Sequence, residues 1–180
     1  MNATEIKFGG FGGQGVILAG IIIGRAASIY DQKFATLTQS FGPEARGSAC
    51  SAQVIVADKK VLYPYVTKPE ILLVMSQEAC NKFLPETTDT ATLIIEEDLV
   101  KPRNISPGMK IYGIPATRLA EELGRKMILN IVMVGFFTAV TKLVGYEAVR
   151  EAVKVSVPLG TEAMNLGAFE RGYQYGLQLA

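Results

Sequence analysis

A run of glycines near the amino terminus constrains the fold more than any other feature of this sequence. Residues 9–15 read Gly-Gly-Phe-Gly-Gly-Gln-Gly, and residues 10–15 satisfy the spacing G-x-G-x-x-G. A short strand pattern, residues 5–8, precedes the run, and residues 16–30 follow it as a proline-free apolar segment typical of a buried helix. This order of strand, glycine loop and helix predicts the first unit of a Rossmann-like α/β fold.

The rest of the sequence continues the alternation of short apolar runs and helical segments. Runs with the length of strands lie at residues 33–38, 49–56, 71–75, 92–95 and 110–114, and helices are predicted at 77–84, 116–124, 129–144, 146–153 and 160–179. Crossover rules predict that the strand at 33–38 runs parallel to the first strand. The turn at 58–60 predicts a hairpin between 49–56 and 61–63. We therefore expect one domain over residues 1–180, a three-layer α/β/α fold with a mixed, mostly parallel sheet.

Charge and composition exclude several kinds of function. The net charge is +1, with lysine and arginine scattered along the chain, which argues against a nucleic-acid partner. The sequence has no histidine, and its cysteines are Cys50 and Cys80, so the usual zinc ligand sets, a Ser-His or Cys-His pair, and the four thiolates of an iron–sulfur cluster are missing. We predict no metal site and no catalytic residue in this chain, and interpret both cysteines as small core residues.

The most apolar segment does not have the character of a membrane span. Residues 127–144 have nearly the length of a span but include Asn130, Thr138, Thr141 and Lys142. The first residues lack the basic and apolar pattern of a signal peptide, so we expect a cytoplasmic protein without membrane contact. Asn130 needs hydrogen-bond partners if it is buried, and we expect it to cap a neighbouring loop or to contact an interface.

The glycine loop is a candidate anion-binding site. Because glycine has no Cβ, backbone N–H groups at the start of the following helix can approach a negatively charged group, which the helix dipole also attracts. The alternative is a tight turn that binds nothing. The candidate cofactor-binding residues of this loop are Gly10, Phe11, Gly12, Gly13, Gln14 and Gly15.

The residues after the second strand argue against NAD as the ligand. A dinucleotide-binding domain carries an acidic residue there, about 20 residues beyond the glycines, to hold the ribose hydroxyls. This sequence has Thr38-Gln39-Ser40 at that place. The nearest carboxylate, Asp31, precedes the second strand and is expected at the opposite edge of the sheet.

A second polar loop, residues 39–47, supplies two further candidates, Glu44 and Arg46. Because the loop follows a strand parallel to the first, it is expected to open at the same edge of the sheet as the glycine loop. The guanidinium group of Arg46 suits a phosphate or a carboxylate, and Glu44 is placed to orient it. The alternative is a surface ion pair between the two side chains.

These motifs together resemble the gamma subunit of 2-oxoacid:ferredoxin oxidoreductases. The resemblance rests on residues 9–15, 39–48 and 54–56, and continues through Ile114-Pro115-Ala116-Thr117 and through residues 120–124 and 130–135, so it covers nearly the whole chain. Enzymes of this family decarboxylate a 2-oxoacid on thiamine diphosphate, pass electrons through iron–sulfur clusters to ferredoxin, and release acyl-CoA.

The resemblance implies a division of labour among subunits. Thiamine diphosphate, magnesium and the iron–sulfur clusters would be bound by alpha, beta and ferredoxin-like delta subunits, with ferredoxin an indirect partner. In this chain the glycine loop, Glu44 and Arg46 would lie beside coenzyme A, and 2-oxoglutarate is the favoured oxoacid.

Two other functions remain open from the residues themselves. The first is a self-contained Rossmann oxidoreductase that binds NAD or a flavin, and the second is a non-catalytic scaffold subunit. The gamma-subunit interpretation predicts an isolated chain without activity. Because residues 129–144 and the composition are so apolar, we also expect the isolated chain to expose apolar surface and to form a homodimer.

Overall fold

The computed structural model describes residues 3–41 and 49–179 and contains a six-stranded mixed sheet. The strands follow the order β2-β3-β1-β4-β5-β6 across the sheet. β1, β4, β5 and β6 are parallel neighbours, whereas β3 is antiparallel to both β1 and β2. The strands are β1 (Ala3–Phe11), β2 (Phe34–Ser40), β3 (Ala49–Ala57), β4 (Ile71–Val74), β5 (Thr92–Glu96) and β6 (Lys110–Ile114). The mixed, mostly parallel sheet predicted from the sequence is confirmed.

Helices cover both faces of the sheet unequally. α1, α3, α4, α5 and α6 share one large apolar cluster with one face, and α2 packs with a smaller cluster on the other face. The helices are α1 (Val16–Arg25), α2 (Gln77–Phe83), α3 (Ala116–Glu122), α4 (Leu129–Thr141), α5 (Tyr146–Ser156) and α6 (Glu162–Leu177). α1 continues into a π-helical turn at Ala26–Tyr30, and 3₁₀ turns lie at Leu84–Glu86 and Lys126–Ile128.

The predicted hairpin between residues 49–56 and 61–63 is wrong. β3 pairs instead with β2, from Phe34 opposite Ala57 to Ser40 opposite Ser51, and residues 61–63 form no strand. The segment 61–63 is short and runs into Pro64, which has no N–H to donate to a ladder. β2 does run in the direction of β1, as predicted, but β3 lies between them.

α4 occupies the centre of the larger helical layer. All its residues from 129 to 139 are buried, with the Phe137 ring 5.6 Å from that of Phe8 on the sheet side. α4 also packs closely along α6, where a Cβ on Gly135 would lie 2.0 Å from the Phe169 carbonyl oxygen. The chain's own helices and sheet therefore cover residues 129–139, so this helix does not supply the exposed apolar surface expected of the isolated chain. The homodimer itself stays a prediction.

The first helix packs tightly on the sheet through a glycine. A Cβ on Gly20 would lie 2.6 Å from the Cβ of Ala52 in β3, so a side chain there would push α1 away from the sheet. In the part of the chain that the structure describes, no helix combines the length and hydropathy needed to cross a membrane.

Candidate functional site

The glycine run divides into a strand portion and a short turn. β1 continues through Gly9 and Gly10 to Phe11, so the turn into α1 consists of residues 12–15. The Gln14 N–H donates to the Phe11 carbonyl at 3.1 Å and closes the turn. Gly13 and Gly15 have φ angles of 95° and 74°, in the left-handed region where a side chain is strained. The turn therefore requires glycine at both positions.

The side chain of Gln14 fastens the turn to the sheet. Its Oε1 accepts a hydrogen bond from the Phe11 N–H at 2.7 Å, and its Nε2 donates to the Met75 carbonyl, just beyond β4, at 2.8 Å. A Cβ on Gly10 would lie 2.7 Å from Gln14 Oε1. Gly10 is thus a packing position beneath Gln14, and both residues shape the turn from its inner side.

Asn130 of α4 supports the other end of the turn. Its Nδ2 donates to the Gly15 carbonyl at 3.3 Å, and the residue is buried. A Cβ on Gly15 would lie 2.3 Å from the same nitrogen, so Gly15 is fixed both by its φ angle and by this contact. The prediction that Asn130 caps a neighbouring loop is confirmed.

The outer side of the turn is open at Gly12 and Gly13. Both are exposed, and a Cβ on either would have no atom within 4 Å. α1 begins here with no side-chain cap and no acidic residue in its first turn. Backbone N–H groups at the start of a helix carry partial positive charge, so this surface has room and polarity for an anion such as a phosphate.

An apolar groove with one cationic side chain adjoins the turn. Its volume is about 280 Å³, and the guanidinium group of Arg125 on its wall forms no hydrogen bond or ion pair with the described residues. The groove is lined mainly by carbon, with Gly13, Leu18, Arg125, Met127, Asn130 and Met164 among its walls. Arg125 was missed from the sequence because it follows a helix far along the chain, with no motif around it.

The second predicted loop, residues 39–47, belongs to the described part of the chain only at residues 39–41. Glu44 and Arg46 lie outside the described residues, so their roles stay predictions. The flanking strands fix where the loop begins and ends: Ser40 lies opposite Ser51, and Ala49 lies opposite Phe11. Both ends of the loop are therefore at the edge of the sheet where β1 meets the glycine turn.

Asp31 lies where the sequence predicts, away from the glycine turn. It forms an ion pair with Lys33 at 3.1 Å, and its carboxylate accepts a bond from the Gly145 N–H at 3.4 Å. These residues lie at the edge where β2 begins. Asp31 is therefore too remote to hold the ribose of a nucleotide bound at the turn, which agrees with the argument against NAD.

Both cysteines have the character of core residues. Cys50 and Cys80 are buried and unpaired, and burial raises the pKa of each thiol. A thiol with a raised pKa is a poor nucleophile and a poor metal ligand. Within residues 3–41 and 49–179, no three histidine, cysteine or acidic residues come together as a metal site.

Sequence reasoning missed one buried carboxylate, Glu96 at the end of β5. It is fully buried, and its oxygens accept bonds from the N–H groups of Leu99 at 2.7 Å and Thr117 at 3.3 Å. Burial raises the pKa of this carboxyl above its ordinary value of 4.5, although the two N–H bonds act in the opposite direction. The acidic stretch Glu96-Glu97-Asp98 resembles a solvated turn in sequence, so only the structure separates Glu96 from its neighbours.

Comparison with known proteins identifies similar sequences over nearly the whole chain. The sequence model of the pyruvate ferredoxin/flavodoxin oxidoreductase family matches residues 5–175. The 2-oxoglutarate synthase subunit KorC of Methanocaldococcus jannaschii is 44% identical, over 97% of this chain and 95% of that protein. KorC of Methanothermobacter marburgensis is 46% identical, over 93% and 94%. The pyruvate synthase subunit PorC of Methanocaldococcus jannaschii is 35% identical, over 83% of each.

Solved structures share the fold. The gamma subunit of a keto/oxoacid ferredoxin oxidoreductase from Geobacter sulfurreducens superposes with a TM-score of 0.89 at 36% identity, over 99% of this chain and 98% of that one. The 2-oxoglutarate:ferredoxin oxidoreductase of Magnetococcus marinus, solved with 2-oxoglutarate, coenzyme A and succinyl-CoA bound, gives a TM-score of 0.86. At 19% identity, over 100% of this chain and 32% of that one, the second likeness shows the fold alone.

Proposed function

Because the chain belongs to the pyruvate ferredoxin/flavodoxin oxidoreductase family, we propose that it is the gamma subunit of an enzyme that converts 2-oxoglutarate to succinyl-CoA and reduces ferredoxin. The KorC subunits of Methanocaldococcus jannaschii and Methanothermobacter marburgensis, named for 2-oxoglutarate, are 44% and 46% identical to this chain and align over nearly their full length. Two subunits named for pyruvate are 35% and 32% identical, and KorC of Archaeoglobus fulgidus is 31% identical. The difference between the first two KorC subunits and the PorC subunits is the one that bears on the substrate. This difference supports 2-oxoglutarate as the oxoacid. The direct test is kcat/KM of the native complex for 2-oxoglutarate and for pyruvate, and a preference for pyruvate would contradict the assignment.

The role we propose for this chain is to hold a phosphate group of coenzyme A at the glycine turn. The observation that carries it is the open surface at Gly12 and Gly13, next to the start of α1, whose first N–H groups have no side-chain cap. A phosphate is a suitable partner for such groups. Arg46 would add a cationic contact from the second loop, with Glu44 orienting it, and the groove beside Arg125 offers an apolar wall for the rest of the ligand.

The redox chemistry is proposed to reside in other subunits. Thiamine diphosphate with magnesium would supply decarboxylation, and iron–sulfur clusters would carry the electrons, in alpha, beta and ferredoxin-like delta subunits. The composition supports this division, since the sequence has no histidine and its two cysteines are buried with raised pKa values. Unpaired thiols are also typical of a reducing compartment, which supports the cytoplasm as the location.

Gly12→Ala tests the coenzyme A contact with little risk to the fold. The new methyl group meets no protein atom within 4 Å, and φ at this position is not in the left-handed region. It would instead occupy space that a phosphate needs. A hydrogen bond to a charged group contributes about 1.5–3 kcal/mol, so the KM for coenzyme A should rise roughly 10- to 100-fold. Because ground and transition states lose the contact equally, kcat should be unchanged.

The matched control is Gly167→Ala in α6, where a Cβ also meets no atom within 4 Å. The assay is steady-state kinetics of the assembled enzyme with coenzyme A varied at saturating 2-oxoglutarate. If Gly12→Ala and Gly167→Ala give the same KM for coenzyme A, the turn serves packing alone and the chain is a scaffold subunit. A nucleotide retained by the isolated chain would instead favour a self-contained Rossmann oxidoreductase.

A further inference from the structure

β2 is an edge strand without the usual protection against pairing with another chain. Among the described residues it pairs with β3 along one side only, so half of its backbone N–H and C=O groups have no strand partner. Its seven residues, Phe-Ala-Thr-Leu-Thr-Gln-Ser, include no charge, no proline and no glycine. Exposed edges of natural sheets are normally guarded by such residues or covered by another segment. An unguarded edge of this length therefore indicates that another strand covers it.

Apolar side chains flank the same edge. Phe34 is 48% exposed, Leu37 39% and Ile29, from the turn after α1, 62%. Leu37 and Ile29 line a groove of about 270 Å³ between α1 and β2. Arg25 also lines it, but its guanidinium group donates to the Val155 carbonyl and to Ser156 Oγ of α5. The groove beside β2 is thus mainly apolar, and the cation that lines it is already bonded within the chain.

We infer that β2 pairs with β2 of a second copy of this chain, antiparallel about a two-fold axis at Leu37, so that the sheet continues across both copies. A two-fold axis perpendicular to the sheet keeps each side chain on its own face of the sheet. Two residues that lie opposite each other across the axis must therefore point to the same face, which requires that their sequence positions differ by an even number. An axis at Leu37 places Phe34 opposite Ser40 and Thr36 opposite Thr38 of the second copy, and uses all seven residues. This inference does not depend on the proposed function.

Two features of β2 favour a second copy over a strand of another subunit. The strand carries no charged side chain, so pairing with itself brings no like charges together, whereas a charged partner strand would leave its own charges unpaired. The hydroxyl groups of Thr36 and Thr38 are buried and have no hydrogen-bond partner within the protomer. In the symmetric arrangement, Thr36 of one copy lies opposite Thr38 of the other. Cross-strand threonine pairs form hydrogen bonds, and here the two side chains would do so after rotating about χ1.

Cysteine cross-linking tests both the partner and the register. Residues directly opposite in an antiparallel pair have Cα atoms about 4.5–5.5 Å apart, which is within reach of a disulfide. Leu37→Cys in the full chain, within the assembled enzyme, should form a disulfide-linked dimer under mild oxidation. The control is Leu159→Cys, since Leu159 is 96% exposed and lies outside β2. The native Cys50 and Cys80 are buried and should add little background.

Phe34→Cys and Ser40→Cys fix the register. Neither variant should cross-link to itself, because in the symmetric arrangement each residue lies about 20 Å from its own counterpart, six residues along an extended strand. A mixture of the two variants, assembled together, should cross-link. If Leu37→Cys forms no more dimer than Leu159→Cys in the assembled enzyme, another chain covers the edge and the inference is wrong. Self-linking of Phe34→Cys to the level of the mixture would overturn the proposed register.

Discussion

The contact between α4 and α6 predicts a large loss of stability from a single methyl group. A Cβ on Gly172 of α6 would lie 1.9 Å from the carbonyl oxygen of Val132 in α4, and a Cβ on Gly135 would lie 2.0 Å from that of Phe169. Neither oxygen can turn aside, since both belong to helix backbones. The two glycines therefore set the distance between the helices, and Gly172→Ala must force them apart.

The size of the effect follows from the displacement. Ordinary van der Waals contact begins at 3.4 Å, so α6 would have to move outward by about 1.5 Å. A gap of 0.5–1 Å already forfeits a quarter to a half of a dispersion contact, and overpacked cores typically lose about 1–3 kcal/mol. Since the buried Phe169 would also lose its contacts with α4, we expect the free energy of unfolding to fall by at least about 3 kcal/mol. For a chain of this length that corresponds to a fall in Tm of roughly 6–12 °C.

Gly167→Ala is again the matched control, because it makes the same change in the same helix at a position with free space. Replacing a helical glycine by alanine raises helix propensity by up to about 1 kcal/mol, so this variant should be as stable as the wild type or more stable. Urea and thermal unfolding of both variants, followed by circular dichroism, provide the measurement. A Gly172→Ala protein within about 0.5 kcal/mol of the wild type would refute the argument, since surface substitutions away from any special contact have effects of that size.

Two further predictions concern charged side chains. Arg46→Ala should raise the KM for coenzyme A of the assembled enzyme by roughly one to two orders of magnitude and leave kcat unchanged, from the loss of a charge-assisted contact; an unchanged KM would indicate a surface ion pair with Glu44 instead. Glu96→Gln should alter how stability depends on pH. Because burial raises the pKa of Glu96 in the folded chain, its contribution to stability is full below the ordinary value of 4.5 and is lost as pH rises through the folded pKa. The Tm of the wild type should therefore fall relative to that of Glu96→Gln as pH rises above about 4.5, and a difference that is the same at every pH would contradict this.

The sequence predicts where the strands and helices lie along the chain more accurately than which of them are neighbours in the fold. The runs at residues 71–75 and 92–95 became β4 (Ile71–Val74) and β5 (Thr92–Glu96), because short β-branched runs bounded by turns have few alternatives in an α/β chain. The pairing of β3 was wrong for a different reason. A turn pattern is local. Whether β3 pairs with β2 or with residues 61–63 depends instead on how many interstrand hydrogen bonds each segment can form.

The candidate site could likewise be predicted only where its features depend on local sequence. A turn at residues 12–15 and a cap from Asn130 could be predicted, since one follows from glycine spacing and the other from the need of a buried amide for partners. The attachment of Gln14 to the Met75 carbonyl could not, because the two residues are 61 positions apart and no motif links them. Glu96 was hidden for the same reason: its partner Thr117 is 21 positions away.

The glycines of the run differ in what they can reveal about a ligand. Gly10 would meet Gln14, Gly15 would meet Asn130 and has a positive φ, and Gly13 has open space but a φ of 95°. A side chain at any of these three would distort the turn, so a loss of activity there would follow whether or not an anion binds. Among the glycines at positions 10, 12, 13 and 15, Gly12 alone combines free space with a backbone conformation open to other residues. Only a substitution at Gly12 therefore separates a turn that binds coenzyme A from a turn that merely joins β1 to α1.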